Sequence, residues 1–154
     1  METCLLSAIR RAAQTTQIRA RLPTKPRRLR LEYLRKVDFS KLTANDERVV
    51  QSLLNHQSGA TSCSVDFIRT PPGHGSPAGM HTHVVDQLFY ILSGRMNLDI
   101  AGKTYVAEPG TLVVFPASVP HRNWNDGTKA TIHLAFNSPL PSPNEPFAQP
   151  VVPS

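Results

Sequence analysis

The apolar residues after residue 60 fall in short runs that alternate with turn residues. Each run is rich in β-branched and aromatic side chains, and Gly, Pro and Asn separate the runs. The pair Ser93-Gly94 is a turn signal, and Asn125-Asp126-Gly127 is a hairpin signal. Short and evenly spaced strands are typical of an antiparallel barrel or sandwich, so we predict an all-β domain. The predicted strands cover residues 62–69, 80–84, 87–92, 95–100, 103–107, 111–115, 119–123 and 129–137.

A short helix is predicted before these strands. Thr43 is placed to cap it, Asp46 lies three residues further on as in a capping box, and Gly59 ends the segment. We expect this helix to pack on the outside of the barrel, as the second half of a leading region that covers residues 31–59. Its apolar stripe at helical spacing is formed by Val50, Leu53 and Leu54.

The net charge of +6 comes from the first segment of the chain. Residues 1–36 hold ten Lys or Arg and two Asp or Glu, which gives +8, whereas residues 37–154 hold seven and nine, which gives −2. Three interpretations of residues 1–30 stay open: an Arg-rich targeting presequence, a disordered basic arm, or a segment translated upstream of a true start near Leu31. We expect no nucleic-acid partner, because no aromatic residues are interleaved with these arginines.

Composition limits the other classes. A chain of 154 residues with 40% hydrophobic residues fits one domain, and 14 prolines argue against a helical bundle. No apolar run approaches the roughly 20 residues that span a bilayer, so we expect no membrane segment. Cys4 and Cys63 are too few for a disulfide scaffold, which favours a cytoplasmic location, or an organellar one if residues 1–30 are a presequence. The proline-rich tail, residues 138–154, is predicted to be extended and to wrap the barrel or a partner subunit.

The histidines carry the candidate chemistry. His81 and His83 are two residues apart, so both imidazoles project from the same face of a strand. Gln87 points to the same face as His83 if the strand continues, whereas a turn between the two residues would change its direction. His121 opens another predicted strand and is placed to add a ligand from the neighbouring hairpin. Imidazole-rich sites suit Zn, Cu, Fe and Ni, with Mn and Co also possible, so we expect one divalent transition metal ion.

His133 is the remaining candidate. It shares one face of its strand with Ala135 and Asn137, opposite an apolar face that holds Ile132 and Leu134. Two placements stay open: the imidazole enters the cavity as a catalytic general base, or it lies on the solvent face.

Two motifs resemble those of the cupin superfamily. The first is Gly75-x5-His81-x-His83-x3-Gln87-x6-Gly94 and the second is Gly110-x5-Pro116-x-Ser118-x2-His121-x3-Asn125. The resemblance covers residues 60–137 and implies a double-stranded β-helix, a jelly-roll barrel with a metal at its centre. It implies the metal ligands His81, His83, Gln87 and His121. Because cupin barrels commonly pair, it also implies a homodimer in which residues 31–39 add a strand to the partner.

The chain departs from the cupin pattern at two positions. Ser118 stands where the family usually has Gly, at a turn that favours positive φ, and costs about 1 kcal/mol if the turn is kept. Gln87 stands where the family usually has Glu. A neutral amide leaves the full charge on a divalent ion, which favours an anionic ligand and lowers the pKa of a bound water. The alternative is that Gln87 swings away and three histidines hold the metal.

The resemblance implies a metal-dependent enzyme for a small anionic or metal-chelating substrate. Similar cupins are dioxygenases of flavonol, diketone or catechol-like compounds, and others are lyases, isomerases or cyclases in which the metal is a Lewis acid. The alternative is a non-catalytic module that binds a small molecule or a metal. The sequence leaves the choice between these classes open.

Overall fold

The structure is a computed structural model that describes residues 32–42 and 46–151. The regions at 1–30 and the predicted cap Thr43 lie outside the described residues. The described part is almost entirely β-structure, as the sequence predicts. Its strands are β1 Val49–Leu54, β2 Ser64–Thr70, β3 His81–Thr82, β4 Asp86–Ser93, β5 Met96–Ile100, β6 Lys103–Ala107, β7 Leu112–Phe115, β8 His121–Trp124, β9 Thr131–Ser138 and β10 Gln149–Pro150.

The strands form two five-stranded antiparallel sheets. The first has the order β1-β2-β9-β4-β7, and the second has the order β10-β3-β8-β5-β6. In the long strand β9, residues alternate between buried and half-buried, so one face of the strand points to the interior. The interior holds an apolar cluster that includes Phe89, Ile91, Met96 and Phe115. The two sheets therefore enclose one core, which is the predicted double-stranded β-helix.

The predicted helix after Thr43 is wrong: residues 49–54 form strand β1. Within residues 32–42 and 46–151, helical backbone is limited to two 3-10 turns, Phe39–Leu42 and His56–Ser58. An apolar stripe of three residues is a weak helix signal, and the β-branched pair Val49-Val50 favours a strand. Pairing with β2 decides the outcome, because β1 adds an antiparallel edge strand to the first sheet. Residues 32–38 form no strand within the single chain, so strand addition to a partner stays a prediction.

The glycines of the first motif are required by close packing of the backbone. A Cβ atom on Gly75 would overlap the carbonyl oxygen of Asn123, and one on Gly94 would overlap the carbonyl oxygen of Ala130. Ser118 keeps the left-handed turn conformation that the family's glycine favours, with φ of 64°. The departure at Ser118 is therefore local, and the turn before His121 keeps its shape.

The C-terminal segment runs along its own barrel. Strand β10 pairs with β3, where Pro150 lies opposite His81, and the amide of Val151 donates to the carbonyl of Met80 at 2.9 Å. The carbonyl of Pro141 also lies 2.7 Å from Nε2 of His56. These contacts place residues 147 and 148 over the end of the barrel that holds the histidines. No helix of the described residues is both long and apolar enough to cross a membrane.

Candidate metal centre

Three predicted ligands meet on one wall of the barrel. His81 in β3 and His121 in β8 are paired directly across the second sheet, and His83 lies in the turn that follows β3. A ligand nitrogen from each ring lies within 4.8 Å of those of the other two. All three side chains are buried. The sequence spacing therefore brings together the three imidazoles that it predicts.

Backbone carbonyls fix the orientation of each ring. Nδ1 of His81 lies 2.7 Å from the carbonyl oxygen of Gly79, and Nδ1 of His121 lies 2.8 Å from that of Val119. Nδ1 of His83 lies 2.8 Å from the carbonyl of Phe147, whose ring stacks on the imidazole with centroids 3.9 Å apart. Since a carbonyl only accepts, each Nδ1 carries the proton. Each Nε2 is left as a lone pair that points toward the shared centre.

The arrangement of these lone pairs fits a cation. Nε2 of His81 and Nε2 of His83 are 3.2 Å apart, although both rings already use Nδ1 as the donor. Nε2 of His121 is buried and has no hydrogen-bond partner. Two facing lone pairs and a third unpaired one repel each other unless a positive ion lies between them. A borderline-soft divalent ion such as Zn²⁺ is suited to such a donor set.

Burial keeps the cluster in the form that binds metals. It lowers the pKa of His121 to about 4, against the opposing effect of the hydrogen bond to Val119. Burial likewise lowers the pKa of His83, against the hydrogen bond to Phe147. Both rings are therefore neutral at pH 7, and a metal ion does not have to displace a proton from them.

Gln87 reaches the site from the opposite sheet. The chain crosses between sheets after Thr82, so Gln87 lies in β4 and does not share a strand with His83. The turn before Gln87, and not a continuous strand, is the alternative that the structure contains. Its Nε2 donates to Oδ1 of Asn137 at 2.9 Å, and Nδ2 of Asn137 donates to Oγ of Ser64 at 2.9 Å. This chain of donors uses the nitrogen of Gln87. Burial is the largest influence on the pKa of His83 and lowers it, and the side chain of Gln87 acts in the opposite direction.

The cluster borders a cavity of about 320 Å³ between the two sheets. Its wall includes the metal-site residues His81, His83 and Gln87, the apolar side chains Phe89 and Phe147, and two charged residues, Arg48 and Asp66. This volume is enough for a small organic molecule.

Sequence reasoning missed both charged residues of the cavity. Burial lowers the pKa of Arg48, and the nearby Asp66 opposes that change. Burial raises the pKa of Asp66, while the hydroxyl of Ser52 and the charge of Arg48 act in the opposite direction. A signal was present, since Asp66 lies on the same face of its predicted strand as the apolar Ile68.

His133 lies on the inward face and is fully buried, so its placement on the solvent face was wrong. Its ring packs on Phe89 with centroids 4.4 Å apart, and neither ring nitrogen has a hydrogen-bond partner. Phe89 lines the cavity, whereas His133 is absent from the wall and lies behind it. Burial lowers its pKa to about 3, with a smaller effect from Arg48. Its role as a general base stays a prediction.

Residues 66–136 match the family model for the cupin domain. No curated protein matches the chain. Among solved structures, a putative sugar phosphate isomerase from Acidithiobacillus ferrooxidans is 29% identical with a TM-score of 0.52, over 59% of this chain and 58% of that one. The chain therefore spans less than two thirds of that protein.

Two further structures cover more of the chain. An RmlC-like cupin family protein with a double-stranded β-helix fold from Methanocaldococcus jannaschii is 18% identical with a TM-score of 0.59, over 72% of this chain and 94% of that one. The polyketide cyclase RemF from Streptomyces resistomycificus is 24% identical with a TM-score of 0.57, over 70% of this chain and 73% of that one. At these identities the likeness establishes the fold.

Proposed function

Since the chain belongs to the cupin superfamily, we propose that it is a mononuclear metal-dependent enzyme for a small anionic or metal-chelating organic substrate. One observation carries this proposal: three imidazoles with anchored Nδ1 atoms bring their Nε2 atoms together at one point beside a cavity. A purely structural histidine cluster would have its nitrogens paired. An ion held by these residues would border the cavity, where a substrate oxygen has access.

The protein's own residues supply the other parts of the site. His81, His83 and His121 would hold the metal, and Gln87 would add its amide oxygen, oriented by Asn137. A divalent ion in this position supplies Lewis-acid polarisation of a substrate oxygen. Phe89 and Phe147 give the cavity apolar walls. None of these neutral ligands cancels the charge of the ion, which favours substrates that bring a negative charge.

Two reaction classes fit this site. One is oxygenation of an enolisable or catechol-like compound. The other is isomerisation, cyclisation or elimination, for which a bound metal would supply Lewis-acid stabilisation of an oxyanion while a side chain moves a proton. Asp66 favours the second class, because it is an ionisable carboxyl group with a raised pKa on the wall of the same cavity. The polyketide cyclase and the putative sugar phosphate isomerase among similar structures are in keeping with that class.

The rival function is a non-catalytic module that binds a small molecule or a metal. It shares the fold, the cluster and the cavity, and it differs in lacking turnover. The carboxyl group of Asp66 favours the enzyme, since an ionisable group on the wall of the same cavity is suited to proton transfer.

The proposal is tested by metal analysis and turnover on the same preparation. We expect close to one divalent transition metal ion per chain in the purified protein, measured by elemental analysis. A panel of enolisable ketones, diketones and catechols is then followed by oxygen uptake and by product spectra. His121→Ala should lose metal and turnover, whereas His74→Ala, which changes an exposed histidine outside the cluster, should keep both. Full metal occupancy without turnover of any compound would favour the binding module.

Two further features are proposals. A homodimer is supported by apolar side chains exposed on the neighbouring edge strands β6 and β7, namely Tyr105, Val106, Leu112 and Val114. We expect a mass of twice 17.0 kDa in solution by light scattering, and a mass of one chain would contradict the dimer. The cytoplasmic location is proposed on the low cysteine content alone, and cell fractionation tests it.

A further inference from the structure

Arg48 occupies the wall of the cavity that holds the metal-site residues. It directly precedes β1, the edge strand of the first sheet, and its side chain lines the same cavity as His81, His83 and Gln87. Arg48 shares a face of the first sheet with Val50 and Ser52, which lie opposite Ile68 and Asp66. This face lines the cavity, although Val50 and Ser52 are exposed at the edge of the sheet. The register of the sheet therefore directs this cation inward.

The guanidinium of Arg48 keeps unused donors. Among the residues that the structure describes, Arg48 forms no ion pair, and its Nε is buried without a hydrogen-bond partner. Asp66 attracts it without forming an ion pair with it, and the Asp66 carboxylate accepts from Ser52. The charge of Arg48 also lowers the pKa of His133, which is neutral near pH 7. Arg48 is partly buried, and its buried Nε donor is costly unless a further acceptor binds there.

The charges around the cavity specify that acceptor. Arg48 contributes +1, Asp66 contributes −1 and a divalent ion contributes +2, while the histidines and Gln87 are neutral, so the cavity carries +2. A monoanion that chelates the metal leaves half of this charge. A dianion with one oxygen group for the metal and a second group for Arg48 neutralises it. A carboxylate is the natural second group, because it accepts two parallel hydrogen bonds from a guanidinium.

We propose that Arg48 binds a carboxylate of the substrate while the substrate's other oxygens face the metal site, so that the substrate is a small chelating oxoacid dianion. This inference rests on the proposed function and adds the substrate class. Arg48 is then the residue that distinguishes a carboxylated chelator from its uncharged counterpart.

Two matched probes test the assignment. Acetylacetone and acetylpyruvate share the β-diketone that chelates a metal, and acetylpyruvate carries a carboxylate where acetylacetone carries a methyl group. Binding of each is measured by isothermal titration calorimetry on the full-length protein, both metal-free and loaded with Zn²⁺. The variants are Arg48→Gln, Arg48→Lys and the control Arg122→Gln, which changes an arginine exposed on the outer face of β8. Thermal melting and zinc content verify that each variant is folded and loaded.

We expect the zinc-loaded protein to bind acetylpyruvate roughly tenfold to a hundredfold more tightly than acetylacetone. Arg48→Gln should remove this preference and leave acetylacetone binding and zinc content unchanged. Arg48→Lys should keep part of the preference, because it keeps the positive charge and loses the two parallel N–H donors of the guanidinium. Arg122→Gln should behave as wild type. A preference that persists in Arg48→Gln overturns the role of Arg48, and so does its absence from the wild-type protein.

The outcomes separate this inference from the function on which it rests. The proposed function fails if zinc strengthens the binding of neither probe. The Arg48 assignment survives that result only if metal-free protein still prefers acetylpyruvate and Arg48→Gln removes the preference. If Arg48→Gln does not fold, Arg48→Lys decides, because an unchanged preference in that folded variant contradicts bidentate binding.

Discussion

Two histidine environments lie within one barrel, and they differ in how the ring nitrogens are held. In the cluster of His81, His83 and His121, every Nδ1 meets a backbone carbonyl and every Nε2 points to a shared centre. At His133, neither nitrogen has a partner, and the ring packs against Phe89. Both environments are buried. Burial alone therefore does not make a histidine a metal ligand, whereas an acceptor behind the ring does, because it fixes the tautomer and direction of the other nitrogen.

The largest effect is expected from removing the cluster's own rings. We predict that His81→Ala, His83→Ala and His121→Ala each remove the metal, because imidazoles supply most of the ligand set. Elemental analysis of the purified variants measures this loss, with His74→Ala as the folded control. A double His81→Ala/His83→Ala variant that still binds one equivalent of metal would show that the cluster is not the metal site.

A change of charge at the fourth position should have the next largest effect. Gln87→Glu adds one negative charge opposite the histidines, and a unit charge at about 4 Å is worth roughly 4 kcal/mol at an effective dielectric constant of about 20, before compensation. We expect tighter metal binding, a less acidic metal-bound water and weaker binding of an anionic substrate. Competition with a chromophoric chelator measures the metal affinity, and acetylpyruvate titration measures the anion.

The outcome of Gln87→Glu also depends on Asn137. The amide nitrogen of Gln87 donates to Oδ1 of Asn137, and a glutamate at this position has no proton to donate. Asn137 must then turn its own amide, which already donates to Ser64. Gln87→Leu is the matched control, since it removes both oxygen and charge. Equal metal affinity in all three proteins would mean that Gln87 does not coordinate and that three histidines hold the metal.

The C-terminal segment gives the cluster its third anchor, and removing it should have a smaller effect. Truncation after Glu145 deletes the carbonyl of Phe147 that accepts from His83, together with the stacked ring and strand β10. We expect metal affinity to fall roughly 10–100-fold, as for other losses behind a ligand. Phe147→Ala keeps the carbonyl and should cost less. Unchanged metal affinity after truncation would show that the acceptor behind His83 is dispensable. An acceptor behind the ring would then not be what distinguishes the metal ligands from His133.

The sequence predicts the strands of the barrel because their alternation is a local property. Strand β6 has the predicted bounds, and the predicted strand 87–92 differs from β4 by one residue at each end. The three histidines were also predictable, since each lies at a fixed place in a motif that sets a turn or a strand start. Ser118 shows the same locality, because its positive φ follows from its place in a turn.

Strand β1 and the wall of the cavity could not be predicted, because they depend on contacts between distant segments. Strand β1 was predicted as a helix because its pairing with β2 is invisible in its own residues. The place of Phe147 depends on a pairing between β10 and β3 that spans much of the chain, and Arg48 meets Asp66 only when β1 joins the sheet. Fold and ligands were thus encoded in short patterns, whereas the wall of the cavity was assembled by tertiary pairing.

The smallest expected effect concerns the unanchored histidine. His133→Leu replaces two buried nitrogens that lack partners by apolar atoms of similar bulk, and each unsatisfied buried group costs about 1–3 kcal/mol. We expect the free energy of unfolding to rise by about 1 kcal/mol near neutral pH, with metal content unchanged, measured by urea denaturation. The stability advantage of His133→Leu over wild type should widen as pH falls from about 6.5 toward 3. The pKa of His133 is lowered to about 3 in the folded state, so the unfolded wild-type chain binds a proton first. Wild-type stability is therefore lost across that pH range. A folded, metal-loaded variant that loses turnover would instead give His133 the catalytic role that the sequence predicts. A variant less stable than wild type at every pH would show that the two nitrogens find partners in solution, and the contrast with the anchored cluster would disappear.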